Sequence, residues 1–536
     1  MKWINELKRR WKNRMQKTAA NVGIAKEYKT IFDIKGIPSF QQFYFYGIFI
    51  WKWLWKGFYK PWHIVPAHTI KDPNGKREMH RLNLAKAVCA EMAGLVWGDD
   101  CGVTVSTKGR NPEDKTEDPL DVFMQDVLEK NAFHQKMQES IEEGLALGGG
   151  AIKTWAEIDT DGEGEQIPDS TRMVIGYAMA DQFIPLAWDN AKVTEGVFIS
   201  RIAKDGWYYT RLEWHRWNGK TYTVTNELFR SEITKGETSA ESQDILGVRY
   251  PLEEIYPNLE PYTEIAVKES LFCYWRTPIA NNVDDNSPLG VSVYANALET
   301  LHALDICYDS FVREFQLGKK RIIVPASAVR MVVNPETGET VRYFDETDEV
   351  YQALQSDSPN DLKITDNSVS LRVEEHIAAI NAFLSILCMQ VGFSAGTFTF
   401  DQHEGLKTAT EVVSENSKTY KTIKTIQKQL RPAIKQLVRN IIDVAVLYGI
   451  GNVAELIKPG YEINVTFDDG VTQDRQTNIN EGVMLVGAGI ISKKRFLTDS
   501  KYGIGMTNEE AEKELAQVRA ETPASVNALD IFNSAE

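Results

Sequence analysis

The longest helical pattern in the sequence covers residues 408–448, and it constrains the fold of this chain more than any other feature. Its apolar residues recur at steps of three or four, as the core-facing side of an α-helix requires; they are Ile423, Ile426, Leu430, Ile434, Leu437, Ile441 and Val444. Pro432 lies inside the pattern, where a proline removes a backbone donor and clashes with the preceding turn. We therefore predict one long amphipathic helix with a kink near residues 428–432.

The opposite face of this helix is basic. No acidic residue occurs between Glu415 and Asp443, whereas basic residues recur there at helical spacing. We call this set the cationic stripe: Lys418, Lys421, Lys424, Lys428, Arg431, Lys435 and Arg439. The pattern is typical of a solvated face or of ion pairs to a neighbouring subunit, and it is also compatible with direct contact to nucleic acid. The sequence leaves these alternatives open.

The overall charge restricts the classes of protein to which the chain can belong. Its 536 residues include 60 Lys and Arg against 75 Asp and Glu, which gives a net charge of −15. A protein that grips nucleic acid over its whole surface presents Lys and Arg to phosphates, so that class is excluded and any contact with DNA is local or weak. With 43% hydrophobic and 25% charged residues the chain is expected to fold, and its length allows about three or four modules.

Metal, cofactor and catalytic motifs are missing from the sequence. Five scattered cysteines without a CxxC pair and eight dispersed histidines predict neither disulfides nor a zinc site, and buried free thiols in a reducing compartment are expected. Gly148, Gly149 and Gly150 lack the GxxxxGK[ST] spacing of a phosphate loop and indicate a helix-to-strand turn. Adjacent acids such as Asp284 and Asp285 are the kind of pair a Mg²⁺-dependent nuclease uses, but such pairs are commoner in solvated turns. We predict no enzyme, no metal and no cofactor.

Residues 40–62 form an unusually aromatic segment, FQQFYFYGIFIWKWLWKGFYKPW. The segment lies too far from the N-terminus for a signal peptide and lacks a small-residue cleavage site. A membrane-spanning helix needs about 20 largely apolar residues, and Lys52 and Lys56 interrupt the run. Burial against another domain or subunit is the favoured interpretation. The alternative is a role at a membrane interface, where aromatic side chains alternate with lysine.

Between residues 81 and 274 the pattern changes from helix to strand. Residues 81–98 and 119–147 have helical spacing. Residues 151–274 contain short β-rich runs separated by the turn dipeptides Asp161-Gly162, Asp205-Gly206 and Asn218-Gly219, which predicts antiparallel hairpins. Residues 159–170 resemble a calcium-binding loop only in their first acids, because its twelfth position is Ser170 rather than glutamate. A hairpin loop is predicted there instead.

Two helices separated by a compact insertion follow. The first covers residues 291–316, and its apolar face comprises Val293, Ala297, Leu301, Leu304, Tyr308, Phe311 and Phe315. Residues 319–371 suit a small mixed α/β insertion, and residues 373–391 predict the returning helix. A glycine-punctuated aromatic loop at 392–406 precedes the long helix, and helices at 475–487 and 508–522 end the chain. The fold class is therefore α+β.

Three stretches of sequence resemble the portal proteins of tailed bacteriophages, of the branch found in phages and prophages of Gram-positive bacteria. They are SPLGVSVYANALETLHALDICYDSFVREFQLGKKRIIVP at residues 287–325, GFSAGTFTFDQHEGLKTATEVVSENSKTYKTI at 392–423 and, more weakly, LNLAKAVCAEMAGLVWGD at 82–99. The second stretch is the most specific, because KTATEV follows the aromatic loop. The order of the elements is similar to that of this family over nearly the whole chain.

The resemblance implies a portal fold with a β-rich and helical wing, a two-helix stem, a small α/β clip, a tunnel loop, a long kinked helix and a mostly helical crown. The implied boundaries are 1–285 for the N-terminal segment and wing, 286–317 for the first stem helix, 318–371 for the clip, 372–392 for the second stem helix, 393–407 for the tunnel loop, 408–450 for the kinked helix and 451–536 for the crown and tail. The tunnel loop would face DNA with Thr397, Phe398, Thr399, Phe400, Asp401, Gln402 and His403.

The resemblance also implies a function and partners. Such proteins form a ring, typically a dodecamer, at one vertex of the capsid in the virion, as the conduit for packaging and ejection of the genome. Expected partners are further copies of the chain, the terminase large subunit, head-completion or adaptor proteins, the major capsid and scaffolding proteins, and double-stranded DNA bound without sequence specificity. During assembly the protein is expected in the host cytoplasm. A membrane-associated scaffold using residues 40–62 is the alternative function.

The acidic composition fits a conduit. A channel through which a polyanion slides must not hold it, and an acidic wall supplies repulsion at short range. The predicted first stem helix carries Glu299, Asp305, Asp309 and Glu314 against Arg313 alone. We therefore expect an acidic lining, with the cationic stripe as a local exception.

Overall fold

The fold is taken from a computed structural model, which describes residues 28–38, 41–67, 73–109, 117–160, 166–190, 192–233, 245–284, 287–318, 322–323, 330–333, 340–343, 365–366, 370–399, 417–467, 475–499, 503–504, 506 and 508–521. Helices and strands are both abundant, which agrees with a mixed helix and sheet fold. The chain divides into two compact units. The first comprises residues 1–401 and 424–467, and the second comprises residues 402–423 and 468–536.

The aromatic segment forms a helix, α1 (Gln41–Trp55), followed by a short helix α2 (Lys60–His63) and a small hairpin of strands β1 (Ile64–Pro66) and β2 (Lys76–Glu78). Helix α1 buries Tyr44, Ile48 and Trp51 within the first unit. The backbone oxygen of Trp51 accepts a hydrogen bond of 2.8 Å from the Tyr294 hydroxyl. This face of the helix is therefore buried within the first unit, whereas burial against another domain or subunit stays a prediction.

Across the described ranges no single helix has both the length and the apolarity needed to cross a bilayer. One sharply bent pair, Ser417–Tyr448 with Ile450–Leu456, meets the criterion by length and composition alone.

Three helices precede the sheets: α3 (Leu84–Val96), α4 (Pro119–Lys130) and α5 (Phe133–Leu147), with strand β3 (Gly102–Thr107) between the first two. Their positions confirm the helices predicted at 81–98 and 119–147. Asp118 caps α4 by accepting from the Leu120 amide at 3.0 Å. Gly148 ends α5 with φ 99°, a conformation that favours glycine, and the next strand starts at Gly149, as the helix-to-strand interpretation predicts.

The β-rich part forms two antiparallel sheets in the first unit. Its strands are β4 (Gly149–Thr160), β5 (Gln166–Met179), β6 (Phe183–Asp189), β7 (Lys192–Lys204), β8 (Trp207–Asn218), β9 (Thr221–Glu232), β10 (Val248–Tyr250), β11 (Tyr262–Ile265) and β12 (Phe272–Arg276). One sheet has the order β10-β9-β8-β7-β6 with β11 also paired to β9, and the other has the order β12-β4-β5. We call these two sheets the β body. Phe183, Phe198 and Phe272 pack together in its core.

The predicted hairpins are present in the β body. Lys204 pairs with Trp207 across Asp205 and Gly206, whose φ angles of 51° and 82° are those of a type I′ turn. Asn218 pairs with Thr221 across Gly219 and Lys220, and β4 pairs with β5 from Thr160 and Gln166 onwards. Residues 161–165 themselves lie outside the described residues.

Two long helices flank the insertion: α6 (Leu298–Leu317) and α7 (Val373–Val391). Helix α7 agrees with its prediction at both ends. Helix α6 starts later than the predicted residue 291, after a 3₁₀ turn at Ala295–Ala297. The physical reason is that the Val293 amide donates to the Leu145 oxygen at 3.0 Å, which holds the preceding segment against the end of α5 instead of in a helix.

The described parts of the insertion are four short strands in two antiparallel pairs. Strand β13 (Ile322–Ile323) pairs with β16 (Thr365–Asp366), and β14 (Arg330–Val333) pairs with β15 (Thr340–Tyr343). The outer pair brings the two ends of the insertion together. The helical part of the predicted α/β insertion falls on residues outside the described ranges.

The long helix α8 (Ser417–Tyr448) continues through Pro432 as a single helix. Residues 408–416 of the predicted helix lie outside the described residues, and the kink near Pro432 stays a prediction. A sharp change of direction, 119°, follows at Gly449, where the φ angle is 67°. A 3₁₀ turn (Ile450–Asn452), helix α9 (Val453–Leu456) and strand β17 (Tyr461–Thr466) come next, and β17 pairs with β3.

The second unit contains three described helices after the long one: α10 (Arg475–Gly487), α11 (Lys493–Thr498) and α12 (Asn508–Glu521). They include the helices predicted at 475–487 and 508–522. Lys494 of α11 pairs with Glu512 of α12 at 2.6 Å. Met484 and Ile490 are exposed, at 72% and 69%.

Candidate functional site

Helices α6 and α7 form an antiparallel hairpin, which is the frame of the candidate site. Glu314 near the end of α6 pairs with Arg372 at the start of α7 at 2.8 Å. One turn further in, the rings of Phe311 and His376 lie 5.4 Å apart. The strands of the insertion therefore follow one end of the hairpin, and the aromatic loop begins at the other end, after Val391. This is the helix, insertion and returning helix that the sequence predicts.

Two carboxylates in the middle of α6 bind residues of the N-terminal segment. Asp305 accepts a hydrogen bond from the Leu82 amide at 2.9 Å and lies 3.1 Å from the imidazole of His63. Asp309 receives both guanidinium nitrogens of Arg77 at 2.5 and 2.8 Å. Burial is the largest single influence and raises the pKa of Asp309, but the hydrogen bonds from Arg77 and the His80 amide together with the charge of Arg77 outweigh it and leave that pKa below the ordinary value.

These contacts correct one expectation from the sequence. Three of the four acids on α6, namely Asp305, Asp309 and Glu314, are engaged within the chain and do not form a free acidic wall. The hydrogen bond from Arg372 lowers the pKa of Glu314 to about 2. Glu299 is exposed and makes no ion pair in the described part of the chain. The sequence could not reveal this, because the partners of Asp305 and Asp309 lie more than 220 residues away.

The loop after α7 is compact where it is described. Gly392 ends the helix with φ 94°, and buried Phe393 meets Phe398 edge to face at 5.4 Å. The Thr397 hydroxyl donates to the Ser394 oxygen at 2.8 Å, and the side chains of Thr397 and Thr399 are exposed. The other predicted loop residues, Phe400, Asp401, Gln402 and His403, lie outside the described residues.

The cationic stripe is divided by the structure. Arg431 donates to the Val465 oxygen at 2.6 Å and lies over the Phe467 ring at 5.0 Å. Arg439 pairs with Glu269 at 3.1 Å. These two arginines therefore serve contacts inside the first unit.

The lysines of the stripe differ from the arginines. Lys424 and Lys428 are exposed, Lys435 is half-buried, and none of the three has an ion pair within the described residues. Lys418 and Lys421, which belong to the second unit, are exposed as well. Four of the five lysines of the stripe are therefore exposed in the single chain, as is Arg431.

A buried charged cluster lies in the β body. Glu213 accepts a hydrogen bond from Lys153 at 2.5 Å, forms an ion pair with Arg211 at 2.9 Å and lies 2.8 Å from His215. Burial is the largest single influence and raises the pKa of Glu213, but Lys153, His215 and Arg211 together outweigh it and hold that pKa well below its usual range. Burial lowers the pKa of both Lys153 and His215.

The sequence predictions did not include this cluster, although a signal for part of it is present. Arg211, Glu213 and His215 alternate along β8 and so share one face of a strand, a row of polar groups in an otherwise apolar and aromatic run. Local sequence patterns cannot show that Lys153 of β4 joins this cluster, because its place there depends on how the sheets pack.

The possible metal ligands and the thiols are two further features of the described residues. Among the residues that the structure describes, no group of three or more His, Cys, Asp or Glu side chains is arranged to hold a metal ion. Cys89, Cys101, Cys273 and Cys388 are buried free thiols, as predicted, whereas Cys307 on α6 is half-buried. Burial raises the pKa of Cys273 to about 12, which makes it a poor nucleophile.

Comparison with known proteins assigns the chain by sequence. Residues 50–523 match the family described as phage portal protein, SPP1 Gp6-like. A solved structure described as the neck of an empty GTA particle computed with C6 symmetry matches with 14% identity and a TM-score of 0.34, covering 77% of this chain and 89% of that chain. No curated protein matches the chain. The assignment to a family rests on the sequence match, which includes the hairpin, the insertion and the long helix.

Proposed function

Because the chain belongs to the family of SPP1 Gp6-like phage portal proteins, we propose that it forms a ring that is the conduit for packaging and ejection of phage DNA. Family membership implies an oligomeric ring at the portal vertex of a phage capsid. The finer proposal is a dodecamer that carries double-stranded DNA without sequence specificity. The single observation that carries it is the match over residues 50–523, which spans every element described above except those before residue 50.

The regions of the chain suggest a division of labour within the ring. We assign the β body and the N-terminal helices to the wing, α6 and α7 to the stem, residues 318–371 to the clip and residues 451–536 to the crown. The clip would contact the terminase large subunit during packaging and head-completion or adaptor proteins afterwards. The major capsid and scaffolding proteins would surround the ring, which would assemble in the host cytoplasm.

The charges favour a conduit over a DNA-gripping surface. The chain has a net charge of −15. Since Asp305, Asp309 and Glu314 are engaged by partners within the chain, short-range repulsion from α6 would fall mainly to Glu299. Acids of the clip and the crown would supply the rest.

Electron microscopy of the purified full-length chain tests the assembly. Closed rings with a central channel are expected, and mass measurement of those rings gives the number of copies. A strictly monomeric chain under all assembly conditions would overturn the proposal. Packaging of DNA into capsids that contain the rings then tests the conduit, and rings that support no packaging would limit the protein to a structural role.

The tunnel loop and the cationic stripe remain proposals for contacts with DNA or with a neighbouring subunit. Lys424→Glu together with Lys428→Glu separates these roles for the stripe, because both lysines are exposed. Loss of packaging by intact rings would place the lysines near DNA, whereas loss of rings would place them against a subunit. The matched control is Lys130→Glu, an exposed lysine on α4 whose nearest partner is Asp126 at 2.8 Å. If both variants package normally, the stripe is a solvated face.

A further inference from the structure

Helix α6 carries a seam that is largely exposed in the described part of the chain. The seam comprises residues separated alternately by four and three positions, of which Ala303 and Arg313 are half-buried and the others exposed: Glu299, Ala303, Ile306, Ser310, Arg313 and Leu317. Ile306 is 47% exposed and Leu317 is 55% exposed. Spacing of this kind keeps side chains in line along a helix and is the pattern by which two helices interdigitate. We call this set the α6 seam.

Helix α7 carries a second seam with the same spacing. The α7 seam comprises Glu375, Ala378, Ala382, Ser385 and Met389, and all five residues are exposed. Ile386 beside it is 40% exposed and Met389 is 63% exposed. Between Glu375 and Met389 the seam contains no charge over about three turns. A solvent-exposed helix face usually carries charged residues, so the composition of this seam is that of a buried contact surface.

The polar groups within the two seams need no outside partner. The Ser310 hydroxyl donates to the Ile306 oxygen at 2.8 Å, and the Ser385 hydroxyl donates to the Asn381 oxygen at 2.9 Å. Both serines therefore present small surfaces that can be buried without leaving an unsatisfied donor. The middle of each seam is free to pack against another helix.

The charged groups of the seams are complementary and lie at the same end of the hairpin. Contacts between Glu314 and Arg372 and between Phe311 and His376 fix which residues of α6 and α7 share a level. By this register Arg313 lies level with Glu374 and Glu375. Neither Arg313 nor Glu375 makes an ion pair in the part of the chain that the structure describes.

We propose that the α6 seam of one copy packs against the α7 seam of the next copy around the ring. The inference rests on the proposed function, because it takes the ring as given and names the surfaces that close it. Rotation about a ring axis along the hairpin preserves level, so Arg313 meets Glu375 of the next copy. A large residue then faces a small one, because Ile306 lies within about half a turn of the level of Ala382. The contact is heterologous, which is the type that generates rings.

Cysteine cross-linking in assembled rings tests the pairing. Cys307 is replaced first by Cys307→Ser, because it is half-buried beside the seam while the other native thiols are buried. In that background Ile306→Cys is combined with Ala382→Cys, and the full-length rings are oxidised mildly. A disulfide needs Cβ atoms about 4 Å apart. The expected result is a ladder of covalent multimers beyond the dimer on a non-reducing gel.

Mixing experiments separate contacts between copies from contacts within one copy. Chains with Ile306→Cys alone and chains with Ala382→Cys alone are expected to give no ladder. When the two single variants are assembled together, covalent dimers and no longer products are expected, since each chain then has one reactive seam. Cross-linking of the Ile306→Cys variant by itself would indicate a two-fold contact and would overturn the proposal.

Charge reversal provides a second and independent test. Arg313→Glu and Glu375→Arg are each expected to raise at least about tenfold the concentration at which half of the chains are in rings, because like charges then meet. Their combination is expected to restore assembly, since the pair is only exchanged. If rings form and neither cross-linking nor charge reversal has an effect, the seams line the channel or meet another protein, and the pairing is wrong while the ring stands. If no variant and no wild-type chain forms rings, the proposed function fails as well.

Discussion

The β body and the α6–α7 hairpin differ in how completely one chain satisfies them. In the β body the buried carboxylate of Glu213 is partnered by Lys153 and Arg211 within a single copy. In the hairpin one side is fastened to the N-terminal segment through Asp305 and Asp309, while apolar side chains such as Ile306 and Ile386 stay exposed. A single chain therefore satisfies the charges of the body, whereas it leaves apolar side chains of the hairpin in contact with solvent.

The largest effect is expected from Glu213→Gln in the β body. The substitution removes the negative charge that neutralises Lys153 and Arg211 and keeps the shape of the side chain. A buried ion pair that loses one partner leaves an uncompensated charge, so we expect a loss of about 3–5 kcal/mol in the free energy of unfolding. Chemical denaturation followed by tryptophan fluorescence measures it.

The control for this variant is Glu157→Gln in the neighbouring strand β4. Glu157 pairs with Arg172 at 3.1 Å on the surface, and its replacement is expected to change stability by no more than about 0.5 kcal/mol. Acidification is expected to lower the free energy of unfolding, as the Glu213→Gln substitution does. The folded pKa of Glu213 lies below its ordinary value of 4.5, so its stabilisation is present above that pH and is lost on further acidification. Equal stability of both variants would contradict the role given to the cluster.

An effect of intermediate size on the free energy of unfolding is expected from substitutions on the two sides of α6. Leu304 is fully buried and Ile306, two residues later, is 47% exposed. Leu304→Ala is expected to lower the free energy of unfolding by roughly 3 kcal/mol through lost packing, whereas Ile306→Ala should change it by less than about 0.5 kcal/mol. Only Ile306→Ala should weaken ring assembly out of proportion to stability, as measured by the concentration at which rings form. An equal loss of stability in both variants would mean that Ile306 packs inside the chain.

Local patterns in the sequence predicted much of this architecture. Asp205-Gly206 was sufficient for a hairpin because both residues adopt positive φ readily, and the 3.6-residue period placed α7 at its observed ends. The start of α6 was missed because the Val293 amide is held by the Leu145 oxygen, a contact between distant segments. Local periodicity cannot contain such a contact.

The candidate site was predictable in outline and not in its chemistry. The order of helix, insertion and helix follows from the sequence, as does the alternating spacing of Ile306 and Ser310 in the α6 seam. Which acids on α6 have partners does not follow, because Arg77 and His63 reach them only in the folded chain. Acids that look free in the sequence of a helix can therefore be engaged within the chain.

The smallest effect is expected at Glu314, where the hairpin meets the insertion. The hydrogen bond from Arg372 lowers its pKa to about 2, from an ordinary value of 4.5. Because the folded pKa is the lower one, the contact stabilises the hairpin above pH 4.5 and loses its effect as the pH falls towards 2. The stability difference between wild type and Glu314→Gln should therefore be small at neutral pH, since solvent screens an exposed pair, and should vanish in acid.

Glu299→Gln on the same helix is the matched control, because Glu299 is exposed and has no ion pair in the described residues. Its stability difference from wild type should be close to zero at every pH. Denaturation midpoints measured from pH 7 to pH 2 distinguish the two variants. If the stability difference between wild type and Glu314→Gln persists unchanged at pH 2, the contact with Arg372 acts through packing. The end of the hairpin would then be stabilised within one chain, as the β body is.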